Sequence, residues 1–82
     1  MDEATKKEWQ DTTTDLIIAI GKQLDIEKND QILMMMLLNT PDKVMRFVNW
    51  TRERTIDNRI ISTPAAVMHV VAQINRSDEV LD

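Results

Sequence analysis

Asn29-Asp30-Gln31-Ile32-Leu33-Met34-Met35-Met36-Leu37-Leu38-Asn39-Thr40-Pro41 is the stretch on which the fold turns. Its centre is seven consecutive apolar residues, Ile32 to Leu38. A run of that length is compatible with a buried strand or with a helix. Only Ile32 is β-branched and three of the seven are methionine, so the composition reads as helix. Asn29 or Asp30 supplies a capping side chain before the run. Thr40-Pro41 closes it and opens the next helix, because proline at the first helical position sacrifices no hydrogen bond. The run is therefore expected to be the second helix, over residues 30–39.

Outward from this run the same grammar repeats. Upstream, Thr5 and Glu8 have the spacing of a capping box. Trp9, Thr13, Leu16, Ile17, Ile20 and Leu24 recur at helical spacing on one face, with Ile18 off it. A first helix over 5–24 follows, and Gly21 inside it marks close packing or a bend. Downstream, Thr40 caps a third helix over 41–55, with Val44, Phe47, Val48 and Thr51 inward and an end between Arg54 and Asn58. Ile56 to Ser62 is a connector whose three isoleucines are expected against the core. Thr63-Pro64 opens a fourth helix over 64–76, with Val67, Val70, Val71 and Ile74 inward. Ser77 to Asp82 is expected to be a frayed acidic tail. The expected architecture is all-α: a small bundle of about four helices forming one domain over residues 1–82.

Thr40-Pro41-x-x-Val44-Met45-x-x-Val48 also matches Thr63-Pro64-x-x-Val67-Met68-x-x-Val71, 23 residues on. Either a helical unit is duplicated, or two helices with the same cap and core period look alike. Repeat architectures normally need at least three copies, which favours the second explanation.

Bulk composition narrows the function. One glycine and two prolines in 82 residues are too few turn residues for an all-β fold. The 43% hydrophobic content belongs to a globular chain. No cysteine is present, so disulfides and thiolate metal sites are excluded, and the single histidine, His69, cannot build a metal cluster alone. No motif asks for a cofactor or defines a small-molecule substrate site. Asp11 and Asp15 lie one turn apart, but two acids do not make a specific metal site. No set of residues fills the roles of nucleophile, base and oxyanion donor, so no enzyme activity and no catalytic residue is expected. No apolar stretch is long enough to span a membrane. Met1 to Trp9 lacks the apolar region of a secretory signal, which makes the cytoplasm the expected location. The Asn-x-Ser/Thr triplets at Asn49 and Asn75 are then read as chance.

The net charge of −4 argues against bulk nucleic-acid binding, although residues 31–60 are mildly basic, with five bases and three acids. Ile20-Gly21-Lys22-Gln23-Leu24-Asp25-Ile26-Glu27-Lys28-Asn29-Asp30-Gln31-Ile32 resembles the register I-A-x-x-L-G-I-S-x-x-x-x-I of helix-turn-helix regulators. Gly21 stands at the small alanine and Asp25 at the turn glycine. The resemblance implies a nucleic-acid-binding regulator using residues 20–38. Against that, the helix after the turn carries only Lys28 as a cation before it becomes wholly apolar.

Two features point instead to a protein partner. An all-round apolar helix wants cover on all sides, and a chain of 82 residues has little to give. The second helix is therefore either the central helix or an interface, and Leu33, Met34, Met36 and Leu37 are the candidate residues for a homodimer or larger oligomer. Arg46, Trp50 and Arg54, spaced four apart on the third helix, are residue types that dominate protein interfaces. The other account of them is a tryptophan at the core edge between solvated arginines. The expected function is that of a small protein–protein interaction module: a regulator, an inhibitor or immunity-type protein, or an assembly adaptor.

Overall fold

The computed structural model describes residues 2–80. Its elements in order are α1 (Glu3–Leu24), α2 (Lys28–Leu37), α3 (Pro41–Glu53), β1 (Thr55–Ile56), β2 (Arg59–Ile60) and α4 (Pro64–Val80). The fold is the expected all-α bundle of four helices, with a small antiparallel hairpin added.

α1 begins at Glu3, earlier than the Thr5–Glu8 box predicts, because Asp2 is the better cap. Its Oδ1 accepts the Thr5 backbone N–H at 2.8 Å. That bond, with the Thr5 hydroxyl, holds the Asp2 carboxyl below its ordinary value of 3.8. The capping contribution is therefore complete above pH 3.8 and is lost as the pH falls through the lowered value. Thr13, Ile17, Ile20 and Gly21 are buried along α1, and Ile18 faces out as its spacing requires. The helix stops at Asp25, which takes the left-handed conformation (φ 56°, ψ 46°) usually given to glycine.

The turn that follows is tight. Ile26 is buried, and its N–H bonds back to the Gly21 carbonyl at 3.0 Å. The Gln31 side chain lies directly on Gly21, where a Cβ would overlap its amide, and Gln31 Nε2 donates to the Ile26 carbonyl at 2.9 Å. Gly21 thus marks close packing and not a bend. This docking starts α2 at Lys28, with Glu27 as a cap that makes no side-chain bond. Asn29 and Asp30, the expected caps, lie inside its first turn. α2 ends at Leu37, two residues short of the expected 39, since extended Thr40 must precede Pro41.

α3 and α4 start as their Thr-Pro pairs predict. Thr40 Oγ1 accepts the Lys43 N–H at 3.2 Å, and Thr63 Oγ1 accepts the Ala66 N–H at 3.1 Å. The 23-residue likeness covers these caps and the inward valines only: α2 precedes Thr40, whereas β2 leads into Thr63. α3 closes at Glu53, just short of the expected range. The connector is not tucked in. Asp57 (φ 51°) and Asn58 (φ 64°) make a two-residue turn that pairs Thr55 with Ile60 and Ile56 with Arg59. Ile60 packs on the core, but Ile56 and Ile61 are exposed. Gln23 of α1 anchors the hairpin by accepting the Ile60 N–H at 3.0 Å. α4 continues past the expected end at Arg76 to Val80, and residues 81 and 82 of the expected tail lie outside the described residues.

The core is one cluster from every helix: Ile17 and Ile20, Met34 and Leu38, Val44 and Phe47, and Val67, Val71 and Ile74, with Ile26 from the turn. Buried Lys43 of α3 ties the α2–α3 link to α4 beside the core, its Nζ donating to Asn39 Oδ1 at 3.1 Å and Asn75 Oδ1 at 3.2 Å.

The α1–α2 corner yields a signed prediction. Gly21→Ala gains about 1 kcal/mol of helix propensity. It also displaces Gln31 and strips the Ile26 carbonyl of that donor, at a cost of about 1–3 kcal/mol. The variant is expected to lose about 1 kcal/mol of stability net, whereas in a Gln31→Ala background the same change gains about 1 kcal/mol. Urea denaturation of the four proteins measures both signs. Stabilisation by Gly21→Ala alone contradicts the packing described.

Candidate functional site

The apolar run resolves into two faces once α2 is docked. Met34 is fully buried and Leu38 nearly so. Met35 and Leu37 are half-buried against the core. Ile32, Leu33 and Met36 remain 52%, 42% and 66% exposed. Ile32 and Met36 are four apart and Leu33 and Met36 three apart, so the three side chains adjoin as one strip. Of the four residues expected at an interface, Leu33 and Met36 lie on this strip and Leu37 at its edge. Met34 has no surface to offer a partner and belongs to the core. α2 is not a central helix enclosed by the others: α1 and α4 pack against it, and its outer side stays open. Ile32 is the residue that sequence reasoning missed, since a run without polar members carries no phase.

The Arg46–Trp50–Arg54 side of α3 is engaged with the chain itself. Trp50 is half-buried and stacks on Phe47, with ring centroids 6.0 Å apart and planes 14° apart. The Arg54 guanidinium lies 4.4 Å from the centre of the Trp50 ring, and its Nη1 donates to the Trp50 carbonyl at 3.1 Å. Arg46 pairs with Asp42 at 3.0 Å, and its Nη1 donates to Ser77 Oγ of α4 at 2.6 Å. The three residues form a brace from the core to the surface of α3, reaching α4 at one end.

Residues 20–38 do adopt a helix, a tight turn and a second helix, with Gly21 and Asp25 at its two constrained positions. The outer side of the second helix, however, presents Lys28, Asn29, Ile32, Leu33 and Met36. Two of these five can hydrogen-bond a base edge. The cations are also spread: Arg46 and Arg52 point to sides of α3 about 120° apart. Arg46 and Arg54 each already lie beside an acid of the chain.

A further groove, about 480 Å³, runs between the first half of α1 and α3. Trp9, Val44, Met45 and Val48 form its apolar lining, with Glu8 and Arg52 among its polar groups. The Trp9 indole N–H is buried without a hydrogen-bond partner. His69, Asp11 and Asp15 are exposed. Among the described residues, no group of three His, Asp or Glu side chains is placed to hold a metal ion. No helix among them is long and apolar enough to cross a membrane. No family model, no curated protein and no solved structure matches the chain.

The brace reading of Trp50 has a direct consequence. Trp50→Ala is expected to lower unfolding free energy by about 2 kcal/mol, as for a half-buried aromatic, and Arg54→Ala by less than about 1 kcal/mol. Chemical denaturation followed by circular dichroism reads both. An unchanged midpoint for Trp50→Ala would return the residue to the surface.

Proposed function

We propose that this chain is a small non-enzymatic protein–protein interaction module that meets its partner through the Ile32–Leu33–Met36 strip of α2. The observation that carries the reading is the exposure of three adjoining large apolar side chains on one helix turn, Met36 at 66%. Scattered apolar residues on a surface need no explanation, but a contiguous set marks a contact site. Two of the three are unbranched at Cβ, and methionine repacks readily against whatever it meets. A regulator, an inhibitor or an assembly adaptor would each use such a face.

A photo-crosslinking amino acid at position 36 tests this in the native cell, with exposed Ala65 of α4 as the control position. Defined adducts are expected from position 36 and none from position 65. Leu33→Ser with Met36→Ser should remove the association while changing the stability of the dissociated chain by less than about 1 kcal/mol, because both residues are open to solvent. Equal labelling at both positions, or none at 36, overturns the reading.

The second reading is a nucleic-acid-binding regulator using residues 20–38. The close seating of Gln31 on Gly21 and the left-handed Asp25 favour it, since they fall at the small-residue and turn-glycine positions of that register. An apolar outer face and a net charge of −4 disfavour it. No mobility shift with duplex DNA at low salt is expected. A salt-sensitive shift abolished by Lys28→Ala would promote this reading over the first.

A further inference from the structure

We infer that the Met36 thioether is an oxidation site that switches the α2 strip off: with Met36 as its sulfoxide, the contact is lost. The inference rests on the proposed contact role of the strip and names the regulation of that same site.

The first support is which sulfur atoms the fold leaves open. The chain has no cysteine, so thioethers are its only sulfur nucleophiles. Met34 is fully buried, and Met35 and Met68 are half-buried against the core. Among the described residues the exposed methionines are Met36, at 66%, and Met45, at 52%. Met45 belongs to α3 and lines the groove against α1. Met36 is therefore the oxidisable group of the strip, since its neighbours Ile32 and Leu33 are hydrocarbon.

The second support is what the reaction does there. The sulfur lone pair attacks one oxygen of a hydroperoxide and the O–O bond breaks. The other oxygen takes up the proton and leaves as an alcohol, or as water from hydrogen peroxide. Sulfur loses two electrons and the peroxide gains them. The flexible apolar side chain becomes a polar one with a strong hydrogen-bond acceptor. Neither Ile32 nor Leu33 can donate to that oxygen. A protein surface that covers the strip then buries an unsatisfied acceptor, which weakens association roughly tenfold to a hundredfold. Two thiols of a reductase reverse the step, forming a disulfide and releasing the oxygen as water.

The third support is that the fold survives the change. Met36 points to solvent, so its sulfoxide breaks no core contact. Met34, two residues away, is where the same reaction would disrupt packing, and it is shielded. The docking that divides α2 into two faces thus separates a reactive sulfur at the contact from a protected one in the core.

The test places a photo-crosslinking amino acid at position 33 of the full chain. The purified protein is treated with hydrogen peroxide, quenched with free methionine and added to native lysate. Peptide mass mapping is expected to show sulfoxide at Met36 and Met45 and none at Met34, with the helical circular dichroism kept. Adducts formed by the untreated chain should fall about tenfold or more after treatment. Met36→Leu should keep its adducts after peroxide, Met45→Leu should lose them, and Met36→Gln should lack them without peroxide. Adducts that survive complete oxidation of Met36, or protection by Met45→Leu in place of Met36→Leu, overturn the switch. Oxidation of Met34 as fast as Met36 overturns the shielding on which it depends. An untreated chain that forms no adducts overturns the contact reading itself, and the switch with it.

Discussion

A helix apolar on every side can be buried only as far as its neighbours reach, and that limit governs α2. Two helices pack on it, α1 through the tight corner at Gly21 and α4 across the core. α3 is committed to α4 and to its own brace of Phe47, Trp50 and Arg54. Among the described residues no further element closes the outer side. Met34 and Leu38 therefore enter the core while Ile32, Leu33 and Met36 stay in water. Exposed apolar surface of this kind contributes nothing to folding a lone chain, and its removal from water favours association by roughly 25 cal/mol per Å².

What divides α2 into two faces is a contact eleven residues long in sequence and none of it in the apolar run. Gln31 seats on Gly21 and bonds to Ile26, and Ile26 is itself buried. Those three residues set the rotation of α2 about its axis. Because successive helix residues are about 100° apart, a one-residue change of phase would turn a different set of side chains onto the core. Gln31 is the key to the corner, although a glutamine before an apolar run suggests only a polar boundary. This explains why the helix was legible from residues 32–38 and its open face was not: a run with no polar member has no internal marker of direction.

The other differences between expectation and structure have the same character. Thr40-Pro41 and Thr63-Pro64 start their helices as written, because cap and proline act on the nearest turn alone. Thr5 and Glu8 had the spacing of a box, but an acid three residues earlier offered its carboxylate to the Thr5 N–H. The hairpin at Asp57-Asn58 rests on two left-handed residues without glycine, and on Gln23, 37 residues away from the Ile60 N–H it accepts. Arg46, Trp50 and Arg54 were recognisable as interface residue types. Whether such residues serve a partner or their own chain depends on Phe47, Asp42 and Ser77 being within reach, which periodicity does not specify.

The corner also separates shape from chemistry. Helix, left-handed turn residue, small residue under the second helix: these are backbone requirements, and Gly21 and Asp25 meet them. Reading a base edge is a requirement on side chains that point away from the corner, and there α2 carries an isoleucine, a leucine and a methionine. The same docking that gives the two helices their angle thus turns apolar groups outward at the position where a DNA reader needs donors and acceptors. A protein surface satisfies such groups and a major groove does not. An exposed apolar face on an acidic chain is the observation on which the proposed protein contact rests.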